Sequence, residues 1–373
     1  MTIHIFIAHM GIGGAERVCV NLANEFADMG NEVHIVVLNL ENDVNTHLLD
    51  SRVQVHALGV SRLRYSALAM LRYIRKYRPS FLFVFGNEMA VILNKMRKLH
   101  LLDTPLIVRV LNNVNISLSK EDNVSPIVEN YLQKAQKQLA DMEHVIAQCD
   151  AMRDQLLKKK LVREEQISRV YNPVSRDLIS KTMEIKVPFA KRDVNRIREI
   201  IFIGRLDPQK NLQHLIESFA LVNKEMPNTR LRLIGNGNLT ETIKELVESK
   251  GLSECVCFDG ICRNMEAIYA KADMIVLSSE YEGMPNCLIE AIGCGIPIVS
   301  YDCPIGPREI VVDDINGYLV KYNDIAQLAE KMRECLRRDW NEEEIRKTAE
   351  KFDVSYIAKE YVGLFEKVAR KRR

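Results

Sequence analysis

Glu280-Tyr281-Glu282-Gly283-Met284-Pro285-Asn286-Cys287-Leu288-Ile289-Glu290-Ala291 follows the apolar run Met274–Leu277 and leads into a helical pattern over Leu288–Gly293. A short β-branched run, a loop marked by Gly and Pro, and an apolar helix start form one strand–loop–helix unit. The same unit recurs on both sides. Upstream, strands are predicted at Ile200–Ile203, Leu231–Ile234 and Val256–Phe258, with helices over Asn211–Asn223, Leu239–Lys250 and Met265–Lys271. Downstream, a strand at Ile298–Ser300 and a helix over Ile325–Arg338 follow. Alternation at this spacing predicts a parallel sheet with helices on both faces.

The first half repeats the pattern. Ile3–Ala8 is a short apolar run, followed by Gly11-Ile12-Gly13-Gly14 and a helical pattern over Ala15–Met29. Further strand-like runs are Val33–Leu38, Val53–Leu58, Phe81–Phe85, Leu106–Leu111 and Val145–Gln148. The alternation breaks at Tyr171-Asn172-Pro173, and residues 175–198 read as a polar linker or connecting helix. The prediction is an α/β protein of two Rossmann-like doubly wound domains facing a central cleft. The domains are expected at 1–172 and 195–353. A tail helix, 354–373, carries Tyr356, Tyr361, Leu364, Phe365 and Val368 and is expected to cross back to the first domain. Ligands of such sheets bind beyond the carboxyl ends of the strands.

The 373 residues are 47% hydrophobic and 27% charged, with a formal net charge of +2, which excludes disordered and fibrous classes. Among the nine cysteines there is no C-x-x-C pair and no zinc spacing. No apolar stretch reaches membrane-span length, and Ile3–Ala8 is short for a signal core. A cytoplasmic protein with free thiols is expected.

Three stretches carry chemistry. Gly11–Gly14 sits between strand and helix, where glycines admit a ligand to the backbone and helix N–H groups face an anion. The dinucleotide fingerprint G-x-G-x-x-G fails at Glu16, and a plain tight turn is the alternative. Gly204-Arg205-Leu206-Asp207-Pro208-Gln209-Lys210-Asn211 places two cations on one strand-end loop. Arg205 and Lys210 suit the charge that grows on a departing diphosphate. A solvated loop is the alternative, though a lysine before a helix opposes the dipole. In the opening stretch, Glu282 and Glu290 stand eight residues apart. They suit hydrogen bonds from sugar hydroxyls, or an acid/base pair as in glycoside hydrolysis.

These residues give the chain a family resemblance over nearly its whole length. It resembles the retaining, nucleotide-sugar-dependent glycosyltransferases of the GT-B fold, in the glycogen-synthase-like group. The resemblance rests on Gly13-Gly14-Ala15-Glu16-Arg17, Gly204-Arg205 with Lys210-Asn211, Gly235-Asn236-Gly237, and the Glu282/Glu290 pair. It extends through Gly293-x-Gly295-x-Pro297 and Asp302-x-Pro304-x-Gly306-Pro307-x-Glu309. Gly306-Pro307-Arg308-Glu309 looks like members that build bacterial surface polysaccharides.

The resemblance implies the following roles. Gly13 and Gly14 approach the donor phosphates. Arg205 and Lys210 hold the diphosphate as leaving group. Glu282 meets hydroxyls of the transferred sugar, and backbone N–H groups from Asn286 to Leu288 meet phosphate or sugar. Glu290 binds the ribose. Gly235 to Asn238 and Gly260 to Cys262 border the base. The donor is a nucleotide-diphosphate sugar, UDP- or GDP-linked, and the acceptor a saccharide, lipid-linked for a surface polysaccharide. Family members often carry a histidine after the strand matching Leu106–Val110. Here the stretch reads Arg109-Val110-Leu111-Asn112-Asn113, and Asn112 or Asn113 takes its place as a hydrogen-bonding group. His9 and the other histidines are expected to be structural. No D-x-D triplet occurs, so no metal and no other cofactor is expected. An epimerase or sugar phosphorylase on the same fold, or a catalytically silent partner-binding subunit, are the alternatives.

Charge is unevenly spread. Residues 51–100 hold ten basic residues against the single acid Glu88, while residues 1–50 hold Arg17 against seven acids. Leu63, Leu68, Leu71 and Ile74 recur within the basic stretch at helical spacing. An amphipathic packing helix with a solvated basic face is one reading. Peripheral attachment to an anionic membrane surface is the preferred one. Nucleic acid is not expected, since no nucleic-acid motif accompanies the charge.

Overall fold

The computed structural model describes residues 1–41, 43–111, 134–193 and 195–370. The chain divides into two units, one of Met1–Pro173 with Val354–Arg373, the other of Val174–Asp353.

In the first unit the elements run β1 (Thr2–Phe6), α1 (Gly14–Asp28), β2 (Glu32–Val37), β3 (Gln54–Ala57), α2 (Ala67–Tyr77), β4 (Leu82–Phe85), α3 (Asn87–Lys98), β5 (Leu106–Arg109), β6 (His144–Ala147), α4 (Asp150–Lys158) and β7 (Ile167–Arg169). The strands form a parallel sheet in the order β3-β2-β1-β4-β5-β6-β7. Strands buried on both faces need continuous apolar runs, and Ile3, Ile5 and Phe6 of β1 are fully enclosed. β7 has only three residues and no such run, which is why the sequence pattern did not reveal it.

The second unit runs α5 (Arg176–Ile185), β8 (Arg198–Ile203), α6 (Leu212–Glu225), β9 (Thr229–Ile234), α7 (Thr240–Ser249), β10 (Val256–Gly260), α8 (Met265–Lys271), β11 (Met274–Leu277), α9 (Asn286–Gly293), β12 (Ile298–Tyr301), α10 (Pro307–Ile310), β13 (Gly317–Val320), α11 (Ile325–Arg337) and α12 (Glu342–Lys347). Its strands are also parallel, ordered β10-β9-β8-β11-β12-β13. Ile200, Phe202, Leu215, Phe219, Leu231 and Leu233 lie in its core. Both halves are therefore doubly wound α/β sheets, as the alternation predicts. The winding direction reverses between β1 and β4 in one, and between β8 and β11 in the other.

Residues 175–198 are built into the second unit. Ser175 caps α5 by accepting from the Leu178 N–H at 3.2 Å. Lys186 donates to the carbonyls of Cys294 (2.7 Å) and Gly295 (3.1 Å) and pairs with Glu342 at 2.6 Å. Arg192 grips the carbonyls of Ala270 and Ala272 and the carboxylate of Asp273. Basic residues that read as linker polarity are thus tethers to a buried frame.

The tail helix α13 (Val354–Arg370) belongs to the first unit. It buries Ile357, Ala358, Tyr361, Phe365 and Val368, one stripe at helical spacing, while Tyr356 stands exposed. Phe365 stacks on Phe81 with ring centroids 4.8 Å apart. The buried Arg109 at the end of β5 donates through Nε to the Tyr361 hydroxyl at 3.1 Å and lies over the Phe85 ring. It also donates to Asn172. Among the described residues, no helix is long and apolar enough to cross a membrane.

Candidate functional site

In the second unit, three loops leave the carboxyl ends of adjacent strands: 204–211 after β8, 235–239 after β9, and 278–285 after β11. They are stapled together. Ser278 Oγ donates to the Lys210 carbonyl at 2.7 Å, Gln209 Nε2 to the Tyr281 carbonyl at 2.8 Å, and the Glu280 N–H to the Gln209 carbonyl at 2.9 Å. The Leu206 N–H donates to the Asn236 carbonyl at 3.1 Å, and the Asn238 N–H to Asp207 Oδ1 at 3.2 Å. Gly235 has φ 137°, and a Cβ there would collide with the Gly204 carbonyl. Only glycine lets the two loops touch at this point.

The structure brings Lys210 and Glu282 together. Lys210 Nζ lies 2.6 Å from Glu282 Oε1, with side-chain exposures of 13% and 8%. They are 72 positions apart in sequence and adjacent because β8 and β11 are hydrogen-bonded neighbours. Burial works against the charged Lys210, but the Glu282 carboxylate overrides it and the ammonium is held above the usual lysine range. Glu282 is therefore no solvated acid. It is one half of a buried ion pair. Asn211, at φ 47°, turns the chain from Lys210 into α6, a left-handed position that asparagine tolerates.

Arg205 shares the loop but not the environment. Its side chain is 69% exposed and pairs with Asp207 at 2.8 Å. The two cations thus form no matched pair: Lys210 is buried and paired with Glu282, Arg205 is exposed and paired with Asp207.

Glu290 lies in the second turn of α9. The hydroxyl of Tyr269, from α8, donates to Glu290 Oε2 at 2.7 Å. Sequence reasoning missed Tyr269, because an apolar-face tyrosine in a short helix looks like core. Leu288 is enclosed, and its N–H donates to the Pro285 carbonyl at 3.1 Å, so it is already engaged within the turn. Asn286 is the first residue of α9, with Pro285 as its cap. Cys287 follows it. Burial pushes its thiol up to about 12 against the pull of Lys210, so it stays protonated and is no nucleophile at neutral pH.

Gly13 and Gly14 lie in the first unit, at the carboxyl end of β1. Gly14 is the first residue of α1, and Gly13 precedes it as the cap. A Cβ on Gly13 would meet the Glu16 carboxylate, which folds back over the loop. Burial raises the Glu16 carboxyl above the usual range, and His9 Nδ1 stands 3.2 Å from its Oε1. Asn45 holds the loop by donating to the carbonyls of Met10 and Gly11. Asn112 and Asn113 lie outside the described residues.

His4, His34 and His56 gather on one face of the sheet under α2. His4 and His34 stack with centroids 4.6 Å apart, His34 Nδ1 and His56 Nε2 lie within hydrogen-bond distance at 2.9 Å, and His4 Nδ1 meets the Tyr73 hydroxyl at 2.9 Å. Burial first, then the neighbouring His34, lowers His4 to about 4.

Comparison with known proteins agrees with this architecture. Residues 12–178 match the family model described as Glycosyltransferase Family 4, and residues 187–352 the model described as Glycosyl transferases group 1. The chain is 26% identical over 382 aligned residues to the GalNAc-alpha-(1->4)-GalNAc-alpha-(1->3)-diNAcBac-PP-undecaprenol alpha-1,4-N-acetyl-D-galactosaminyltransferase of Campylobacter jejuni, with 99% of each chain covered. It is 29% identical over 209 residues to the poly(glycerol-phosphate) alpha-glucosyltransferase of Bacillus subtilis, covering 56% of this chain and 30% of that one. The fold superposes on Anabaena HepE in complex with UDP-glucose with a TM-score of 0.77 at 19% identity, covering 98% of this chain and 100% of the other.

Proposed function

The chain belongs to the GT-B glycosyltransferases, and we propose that it moves a hexose or N-acetylhexosamine from a nucleotide-diphosphate sugar to a lipid-linked saccharide, keeping the anomeric configuration. The observation that carries this reading is the buried Lys210–Glu282 pair, with Arg205 on the same loop at the winding reversal between β8 and β11.

In this reading the bond from the anomeric carbon to the phosphate oxygen breaks first, leaving an oxocarbenium-like sugar. Lys210 and Arg205 stabilise the charge that appears on the diphosphate. Lys210 is pre-organised for this by Glu282, while Arg205 exchanges Asp207 for phosphate. Glu282, anchored through Lys210, presents its carboxylate to the sugar hydroxyls. The glycines of 235–237 let the nucleotide lie close to the backbone, the N–H groups at the start of α9 face phosphate or sugar, and Glu290 takes the ribose. The acceptor oxygen attacks from the face the phosphate leaves, and the departing phosphate oxygen takes its proton. The two side-chain cations serve where a metal would otherwise stand.

A lipid-linked acceptor is supported by the name of the Campylobacter relative, which specifies a PP-undecaprenol glycan, in a match that spans both chains. The first unit adds a second support. Tyr65 and Leu68 are 62% and 58% exposed beside the exposed Arg62, Arg64, Arg72 and Arg75. α2 buries Met70, Leu71, Tyr73 and Ile74 and leaves Leu68 exposed, so apolar and arginine side chains of this stretch both face solvent. That combination suits the interface of an anionic bilayer, at roughly 1 kcal/mol per basic residue near the surface.

Incubation with a panel of UDP- and GDP-sugars tests the reading. Slow release of free nucleoside diphosphate from one donor is expected, and transfer to a glycolipid acceptor with the donor's anomeric configuration kept in the product by NMR. An inverted product, or no release from any donor, overturns it. Turnover should continue in EDTA, and activity abolished by EDTA and restored by Mg²⁺ or Mn²⁺ would remove the two-cation step. Flotation with phosphatidylglycerol vesicles should exceed that with phosphatidylcholine, and equal binding would remove the membrane role.

A further inference from the structure

Tyr269 is completely enclosed, and its hydroxyl has two acceptors, Glu290 Oε2 at 2.7 Å and the Cys287 carbonyl at 3.4 Å. A buried hydroxyl without a partner is costly, and a carboxylate is the stronger of these two acceptors. For packing alone a phenylalanine would fill the same space with no polar group to satisfy. The phenol holds its proton firmly, because burial and then the Glu290 charge push its ionisation well above the usual tyrosine range. The O–H therefore donates to Glu290 at every physiological pH.

A glutamate in a helix turns about three side-chain bonds, and a carboxylate that receives a vicinal diol must present both oxygens in one plane. A strong donor on Oε2 removes much of that freedom. The donor itself is fixed: α8 is capped by Asn264, whose Oδ1 accepts from the Ala267 N–H at 3.0 Å, and is followed directly by β11. The arrangement thus ties the orientation of Glu290 to the rigid sheet rather than to α9 alone.

We propose that Tyr269 is a positioning residue that sets the Glu290 carboxylate to receive the ribose hydroxyls, and so gives this chain its preference for ribonucleoside over deoxyribonucleoside diphosphates. The inference rests on the reading of Glu290 as the ribose ligand.

The test measures binding by calorimetry of UDP, GDP and their 2′-deoxy forms to the wild type, Tyr269→Phe and Glu290→Gln. For whichever base binds more tightly, the wild type should prefer the ribo form by about tenfold or more, the scale of a hydrogen bond to a charged group. Tyr269→Phe should reduce that preference to about threefold or less. A merely structural role would weaken both forms equally and leave the ratio unchanged. If Tyr269→Phe does not fold, Tyr269→Met fills the site without a hydroxyl and carries the same comparison. A full preference in the Tyr269 variant, with loss in Glu290→Gln, overturns the positioning role and leaves the ribose assignment standing. No preference in the wild type, or a full preference in Glu290→Gln, removes the ribose assignment and the inference falls with it.

Discussion

Replacing Lys210 by Met removes a charge whose partner stays behind. Glu282 is 8% exposed and Lys210 13%, so the change leaves a buried carboxylate without its cation. Breaking one side of a buried pair costs about 3–5 kcal/mol, whereas removing both charges with apolar or neutral groups of similar size is close to neutral. In a domain the size of residues 174–353, each kcal/mol moves Tm by roughly 2–4 °C. Taking the smaller conversion, because both groups keep some solvent, Lys210→Met should lower Tm by about 6–10 °C. The double variant Lys210→Met/Glu282→Gln should recover most of that, which gives a coupling of at least about 2 kcal/mol. Calorimetric melting of the four proteins in the cycle reads this directly. On the proposed role of Lys210 at the leaving group, the double variant stays catalytically dead: kcat falls far more than donor affinity. Additive Tm losses would show that the pair is not coupled. An unchanged kcat in Lys210→Met would refute the role of Lys210 at the leaving group.

Arg205→Ala should separate the two roles, because its exposed pair with Asp207 adds little to folding. Tm should stay within about 2 °C while kcat falls by tenfold or more, and a fall in Tm comparable with that of Lys210→Met would contradict the assignment. Gly235→Ala meets both a collision with the Gly204 carbonyl and a φ of 137°, so it should lose about 1–3 kcal/mol by denaturant melting and weaken donor binding. The fold should also weaken in mild acid. His4, lowered to about 4, stays neutral in the native protein while the unfolded chain takes a proton below about 6.5. Stability is therefore full above pH 6.5 and declines as pH falls towards 4, by on the order of 3 kcal/mol in total. His4 faces His34, His56, Glu32, Tyr73 and Tyr77, and His4→Phe should flatten the decline between pH 6.5 and 4 in urea melts.

The main elements were legible because their signals are local. β1, β4 and β11 announce themselves as short apolar runs, and α1 and α11 as stripes at helical spacing. β7 and β13 were not, since three or four residues beside Gly or Arg carry no period. The segment 175–198 was legible only in part: the connecting helix is there as Arg176–Ile185, but the polarity did not tell that Lys186 and Arg192 donate to backbone carbonyls of the second unit. Composition tells how polar a stretch is and not where its donors point.

The site divides along the same line. The residue types at Arg205, Lys210, Glu282 and Glu290, and the glycines that flank them, were set out by sequence alone. What each carboxylate touches was not. Glu282 meets Lys210 from 72 positions away, Glu290 meets Tyr269 from 21, and Arg109 meets Tyr361 from 252. Each of these pairs joins residues from different elements. A periodic pattern records which face of its own element a residue occupies; it holds no record of which strand becomes the neighbour. That is decided when β8 pairs with β11 and when the tail helix finds the hydrophobic face beside Phe81, and burial then determines that an acid on a loop becomes half of an ion pair.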